Sequence, residues 1–125
     1  GEFAAGYGQQ IRVEVHGPGT SDLSVMRQIM DVADHPQVVV CWNSNTGEVV
    51  DGSIAAAFDQ VADRLVDTVH IHDLYDGYPY RELISLLQAR EYDGWLLSES
   101  PAITDTLRVM RHYRALFDAW THAPQ

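Results

Sequence analysis

Four polar residues recur along this chain at a nearly constant interval, and each closes or follows a short apolar run. Glu14, Asn43, His70 and Glu99 lie 29, 27 and 29 positions apart. If they converge, the two carboxylates and the imidazole make a site for a divalent cation, because manganese, magnesium and zinc accept such a mixed oxygen and nitrogen set. The amide oxygen of Asn43 could complete that set.

The interval also indicates which elements position these residues. A period of about 28 residues fits a β-strand, a helix and two loops, which together form a βα unit of roughly 30 residues. Strands are predicted at 11–16, 37–42, 68–72 and 95–99, and apolar residues at helical spacing follow each one. Thr20, Ser21 and Asp22 can cap the first of these helices, and the second carries apolar residues from Ile54 to Leu65. Repeated βα units imply parallel strands joined by right-handed crossovers, with active groups at the carboxyl ends of the strands. The sequence therefore predicts an α/β fold in one domain, residues 1–125.

The size and charge of the chain argue against several classes of protein. Its 125 residues are too few for a complete eight-unit barrel, which needs about 200 to 250, so an open sheet and a half-barrel both remain. A net charge of −10 leaves no basic stripe for phosphates, and no apolar run approaches the roughly 20 residues of a membrane span. We therefore expect no binding to nucleic acid and no membrane segment.

The single cysteine and the start of the chain bear on the compartment. Cys41 lies in the apolar run 38–42, which predicts a buried core thiol in preference to a nucleophile. Because it has no partner for an internal disulfide and no signal segment opens the chain, we expect a reducing, cytoplasmic location. Residues 1–10 are interpreted as a cloning scar followed by a helix remnant or linker.

Three further polar residues accompany the recurrent four. His16 shares a strand face with Glu14, while His72 and Asp73 follow His70. All three are secondary candidates for substrate contact; the competing interpretation makes His16 and His72 partly exposed histidines without a role. For His70 itself, a metal ligand and a strand histidine bonded to the backbone or to Asp73 are both open, and in the first case Asp73 would support a neighbouring group.

Four segments carry a resemblance to a known family. Residues 11–17 with Glu14, residues 38–45, the His-x-x-Asp strand end at 70–73 and the Tyr-x-Gly-(x)4-Glu ending at 92–99 resemble the carboxy-terminal half of the xylose isomerase-like sugar phosphate isomerase/epimerase barrels. The resemblance spans nearly the whole chain, with the segments in the same order and spacing.

The resemblance implies a (β/α)8 barrel whose last four strands supply a Glu, Asp, His, Glu metal site. Glu14, His70 and Glu99 match the first Glu, the His and the last Glu, whereas Asn43 stands where the family usually has Asp. The resemblance thus implies a divalent metal, manganese or magnesium in preference to zinc. Its binding is expected to be weak or absent, because a neutral amide oxygen replaces a carboxylate.

The resemblance also implies a reaction. In such enzymes the metal polarises a sugar carbonyl and its neighbouring hydroxyl, so that a carboxylate can remove the proton from the adjacent carbon. Glu14 and Glu99 would be the acid/base pair as well as metal ligands, working on opposite faces of an enediolate. A ketose or polyol, as the free sugar or the sugar phosphate, would be isomerised or epimerised.

Half a barrel raises the question of a partner. Four βα units leave two unpaired strand edges and an open inner face, and two copies could close an eight-stranded barrel around a two-fold axis. Self-association is therefore expected. The competing hypothesis is a non-catalytic half-barrel module, natural or engineered, that retains metal-site residues. A nuclease with a multi-zinc cluster is disfavoured by the acidic charge and by the small number of spare ligands.

Overall fold

Four parallel strands form one sheet, and helices alternate with them along the chain. The computed structural model describes residues 1–122. The strands follow one another in the order β1-β2-β3-β4, without the reversal that marks a doubly wound sheet. The strands are β1 (Ile11–Glu14), β2 (Val38–Trp42), β3 (Leu65–Ile71) and β4 (Trp95–Ser98). This arrangement confirms the predicted α/β fold with four consecutive βα units.

Five helices accompany the strands in the described part of the chain, together with shorter helical turns. The helices are α1 (Glu2–Gly6), α2 (Leu23–Ala33), α3 (Ala55–Asp59), α4 (Tyr80–Ala89) and α5 (Thr106–Thr121). Single turns occupy Gly17–Thr20, Thr46–Glu48 and Ala62–Arg64. Asp22 caps α2 by accepting from the backbone N–H of Ser24 at 2.9 Å, which agrees with the capping residues read from the sequence. None of the helices within residues 1–122 is both long and apolar enough to cross a membrane.

The strand register decides which residues share a face. Glu14 lies beside Cys41 on the neighbouring strand, and His70 lies beside Leu97. Because side chains alternate along a strand, Asn43 and Glu99, each two positions further on, point to the same side as these residues. We call this side the inner face. The helices pack against the opposite side of the sheet.

The hydrophobic core lies between the sheet and the helices. Trp42 is fully buried and meets Phe58 of α3 edge-on, with ring centroids 5.5 Å apart. Glu82 of α4 fixes the start of α3, because its carboxylate accepts from the Ser53 hydroxyl at 2.6 Å and from the Ile54 backbone N–H at 2.9 Å. Apolar contacts thus join the helices to the sheet, and polar contacts join α4 to the start of α3.

Burial on the inner face differs between central and edge strands. Val39 and Cys41, on β2, are 1% and 4% exposed, so the cysteine is buried as predicted. On the edge strand β4, Trp95 is 69% and Leu97 is 42% exposed; on the other edge strand, Arg12 of the inner face is exposed, and so is Ile11 on the opposite face, at 48%. The sheet is therefore closely packed at its centre and open at its two edges.

Two element boundaries differ from the sequence prediction. The helix predicted from Ile54 to Leu65 ends at Asp59, and β3 begins at Leu65, three residues before the predicted start at Thr68. Val61 and Leu65 are both buried, which suits either a helix face or the start of a buried strand. The last helix begins at Thr106, after Asp105, whose side chain accepts from the Arg108 backbone N–H.

Candidate metal centre

Three of the four recurrent residues meet at the carboxyl ends of their strands. The Nδ1 atom of His70 lies 3.1 Å from Glu14 Oε1 and 3.3 Å from Glu99 Oε2. One potential ligand atom from each of the three residues lies within 4.8 Å of those from the other two. In a flat sheet β1 and β4 would be about 14 Å apart, at roughly 4.8 Å per strand spacing. The side chains can meet only because the sheet curves towards the inner face.

Asn43, the fourth residue, is 1% exposed and lies against the other three. When the amide is oriented so that each of its polar atoms meets a partner of the opposite type, its nitrogen donates to Glu99 Oε2 at 2.9 Å and to Glu14 Oε1 at 3.3 Å, while its oxygen accepts from His16 Nδ1 at 2.9 Å. The opposite amide orientation would set the Asn43 oxygen against carboxylate oxygens with no proton between them. In this orientation the amide nitrogen faces the carboxylates, and the oxygen, which is expected from the sequence as a metal ligand, faces His16.

The secondary candidates lie beside this cluster. His72 Nε2 is 3.5 Å from Glu99 Oε2 and 3.4 Å from the amide group of Asn43. Asp73 accepts a hydrogen bond of 3.0 Å from the Ser100 hydroxyl. Together they border an open cavity of about 580 Å³, whose lining residues are His16, Asn43, Asn45, His72, Asp73, Tyr75, Asp76, Glu99, Ser100 and Pro101. Asn43 and Glu99 thus connect this cavity to the cluster, whereas Glu14 and His70 are not among its lining residues.

The loop after β2 is held in place by side chains that the sequence analysis did not single out. Ser44 donates to the backbone carbonyl of His70 at 2.8 Å. Asn45 donates to the carbonyl of Val15 at 2.5 Å and to Glu48 Oε1 at 2.9 Å. These bonds tie the loop to the strands on both sides, so they fix the backbone from which Asn43 projects.

A buried polar network lies behind the same loop. Glu48 is 4% exposed, and its Oε2 accepts from the Tyr78 hydroxyl at 2.7 Å. The indole N–H of Trp42 donates to that hydroxyl at 3.1 Å. Burial raises the pKa of the Glu48 carboxyl above its ordinary value, although the bonds from Tyr78 and Asn45 oppose the shift. Burial likewise raises the pKa of Tyr78.

Three tyrosines in or next to the loop after β3, namely Tyr75, Tyr78 and Tyr80, separate into two groups. Tyr78 and Tyr80 are 6% and 1% exposed, and the Tyr80 hydroxyl accepts from the backbone N–H of His72 at 3.0 Å. These two pack the loop. Tyr75 is 85% exposed at the mouth of the cavity, where its hydroxyl donates to Asp73 Oδ2 at 3.3 Å. Only Tyr75 is positioned to contact a ligand entering from solvent.

The fold and the site together define a class of protein. Consecutive parallel strands that curve around an inner face, with polar groups at their carboxyl ends, are typical of (β/α) barrel proteins. The family model of the xylose isomerase-like TIM barrel matches residues 1–116, and the chain belongs to this family. The resemblance seen in the sequence is thereby confirmed. No curated protein matches the chain.

Proposed function

We propose that this chain carries the metal-binding half of a sugar isomerase or epimerase site, which moves a proton between neighbouring carbons of a ketose or polyol. One observation carries the proposal. Glu14, His70 and Glu99 offer three ligand atoms within 4.8 Å of one another, at the strand ends of a sheet of this family. Two carboxylates and one imidazole suit manganese or magnesium better than zinc, because oxygen ligands predominate. A bound divalent metal would polarise the sugar carbonyl and make the adjacent C–H more acidic.

The proposed roles of the two glutamates follow from their places in the sheet. Glu14 ends β1 and Glu99 follows β4, so the two carboxylates approach the site from its opposite edges. A planar enediolate lying between them would meet one carboxylate on each face. One carboxylate would remove a proton from a carbon on one face, and the other would return a proton on the opposite face. The result is inversion at that carbon or a shift of the carbonyl to the neighbouring carbon. His72 and Asp73 would hold hydroxyl groups of the substrate nearby.

The charges around the cavity favour an uncharged sugar over a sugar phosphate. Asp73, Asp76 and Glu99 line the cavity, and no arginine of residues 1–122 does so. The chain contains eight arginines and no lysine. Apart from the metal itself, which the sugar oxygens would occupy, a phosphate dianion would meet like charges without an arginine or lysine partner. A free ketose should therefore bind better than its phosphate.

A manganese titration tests the metal site. At a hundred times its dissociation constant, a bound ligand adds about 2.7 kcal/mol to the free energy of unfolding. We expect manganese to raise the melting temperature of the wild-type chain and to have no such effect on His70→Ala. His112→Ala is the matched control, because His112 is exposed on α5. No shift in the wild-type protein at millimolar manganese would count against the proposed function.

Saturation-transfer NMR then tests the substrate. A free ketohexose and its 6-phosphate are compared in the presence of magnesium, which avoids paramagnetic broadening. We expect transfer to the free sugar and weaker or no transfer to the phosphate. Equal or stronger transfer to the phosphate would contradict the charge argument.

We also propose that a second copy completes the site. A TIM barrel has eight βα units, and residues 1–122 form four. Trp95 and Leu97 on β4 and Ile11 on β1 are exposed at the two open edges, where neighbouring strands of a barrel would pair. Two copies related by a two-fold axis would supply the eight strands and cover both edges. Sedimentation showing a folded monomer at high micromolar concentration would contradict this closure.

The same exposed edges also fit a non-catalytic assembly module. In that case the two copies would associate, yet manganese would leave the melting temperature unchanged. The metal titration and the sedimentation measurement therefore separate the two functions.

A further inference from the structure

We propose that the Asn43 amide holds Glu14 and Glu99 together when no metal is bound, and that it must turn before a metal can enter. The proposal rests on the metal site proposed above, since the two glutamates are its expected ligands. It assigns Asn43 a role different from that of a neutral substitute for an aspartate. We call this arrangement the amide clamp.

The hydrogen bonds of Asn43 support the clamp. An amide nitrogen carries two protons, and here one is directed to Glu99 Oε2 at 2.9 Å and the other to Glu14 Oε1 at 3.3 Å. In the same orientation, His16 Nδ1 donates to the amide oxygen at 2.9 Å. Two carboxylates this close repel each other, so a shared donor between them lowers the energy of the cluster. The amide nitrogen thus occupies the position between the carboxylates that a cation would need.

The clamp opposes metal binding because its protons and the cation compete for the same carboxylate oxygens. A rotation of the amide by half a turn would present Oδ1 to the cation and direct the NH2 group towards His16. Asn43 is 1% exposed, so water cannot readily replace the bonds that are broken in this rotation. An aspartate at this position would have no equivalent bridging state. The chain should therefore bind metal less tightly than the loss of one ligand charge alone would predict.

Asn43→Ala distinguishes the clamp from simple ligation. If the amide oxygen is only a metal ligand, removing it weakens metal binding. If the amide is a clamp, removing it frees both carboxylates and the dissociation constant for manganese becomes about tenfold smaller, the equivalent of one lost charge-assisted hydrogen bond. Asn43→Asp is expected to tighten binding under either interpretation and does not discriminate.

The experiment combines calorimetric manganese titration with thermal melting in EDTA. Under the clamp, Asn43→Ala binds manganese more tightly and melts about 5 °C lower in EDTA. Ser53→Ala is the matched control, since it removes a hydrogen bond to Glu82 away from the site; it should lower the melting temperature without changing the dissociation constant. Weaker or unchanged manganese binding by Asn43→Ala, or unchanged melting in EDTA, would overturn the clamp.

A spectroscopic measurement covers the case in which Asn43→Ala fails to fold. Glu99 is 57% exposed, so Glu99→Gln should fold. Without metal, the side-chain amide resonances of Asn43 should shift in Glu99→Gln, because one proton loses its carboxylate acceptor. Resonances that stay in place would overturn the clamp. If manganese binds to no variant, the proposed metal function fails, while melting in EDTA and the amide spectrum still decide whether the clamp exists.

Discussion

The Glu48 carboxylate accepts a hydrogen bond of 2.7 Å from the hydroxyl of Tyr78, a residue 30 positions further along the chain. This bond joins the loop after β2 to the loop after β3 beneath the candidate metal centre. Both groups are buried, so the carboxylate has lost its hydration and depends on the few donors that remain.

The first prediction concerns the pH dependence that follows from this burial. Burial raises the pKa of Glu48 above its ordinary value of 4.5, so the folded chain holds this proton to higher pH than the unfolded chain. The free energy of unfolding contributed by Glu48 is then largest at low pH, and it decreases as the pH rises above 4.5 through the folded pKa. Glu48→Gln lacks this dependence.

Urea unfolding between about pH 4.5 and 7.5 measures this difference. We expect the wild-type chain to lose stability relative to Glu48→Gln across that interval. Profiles of the two proteins that run parallel would show that the Glu48 proton is held equally in the folded and unfolded states.

The second prediction separates the two histidines of β3 and its following loop. His70 Nδ1 contacts both glutamates, whereas His72 Nε2 lies 3.5 Å from Glu99 alone. We expect His70→Ala to weaken manganese binding at least about tenfold and His72→Ala to weaken it less than about threefold, differences of roughly 1.4 and 0.7 kcal/mol. Calorimetric titration of both variants is the measurement. A larger loss from His72→Ala would mean that His72 is itself a ligand.

The third prediction is that Cys41 does not react in the folded chain. Burial raises the pKa of its thiol to about 11, with Glu14 adding to the shift, and the side chain is 4% exposed. At pH 8 the thiolate is about one part in a thousand, so a disulfide reagent should modify Cys41 only after unfolding. Rapid modification of the folded chain by Ellman's reagent would contradict the buried position on β2.

The fourth prediction tests closure by a second copy. Trp95→Glu places a charge on the open edge of the inner face, where the residue is 69% exposed and its replacement should not unfold the chain. We expect this variant to sediment as a monomer. Val32→Glu is the control, because Val32 is 87% exposed on α2, away from the sheet edges, and its replacement should leave association unchanged. Equal association of both variants and the wild-type chain would exclude an interface at Trp95.

Much of the fold could be predicted from the sequence because the apolar pattern repeats. The interval between Glu14, His70 and Glu99 depends only on local strand and helix lengths, and their common face depends on the two-residue alternation of a strand. Both are properties of short segments. The boundary near Leu65 could not be predicted, because a buried apolar residue suits a helix and a strand alike.

The arrangement around Asn43 was less accessible to sequence reasoning. Its amide orientation depends on His16 and the two glutamates, which come from three other segments of the chain. The pairing of Glu48 with Tyr78 likewise depends on how two loops pack. Such contacts are set by tertiary structure, so the residue types at single positions do not reveal them.

The unbroken strand order has a consequence for how the chain opens. Each strand pairs with the next one along the chain, and Ile11 with Val38, Trp42 with Val69 and Thr68 with Trp95 each close a loop of the same length. The entropy of forming each pairing is therefore similar, and local packing decides which unit opens first. We expect the unit of β4 and α5 to open first, because α5 has no buried residue and β4 is largely exposed. Amide hydrogen exchange should be fastest in this unit. A metal bound by both Glu14 and Glu99 would slow the exchange, because it would link the last βα unit to the first.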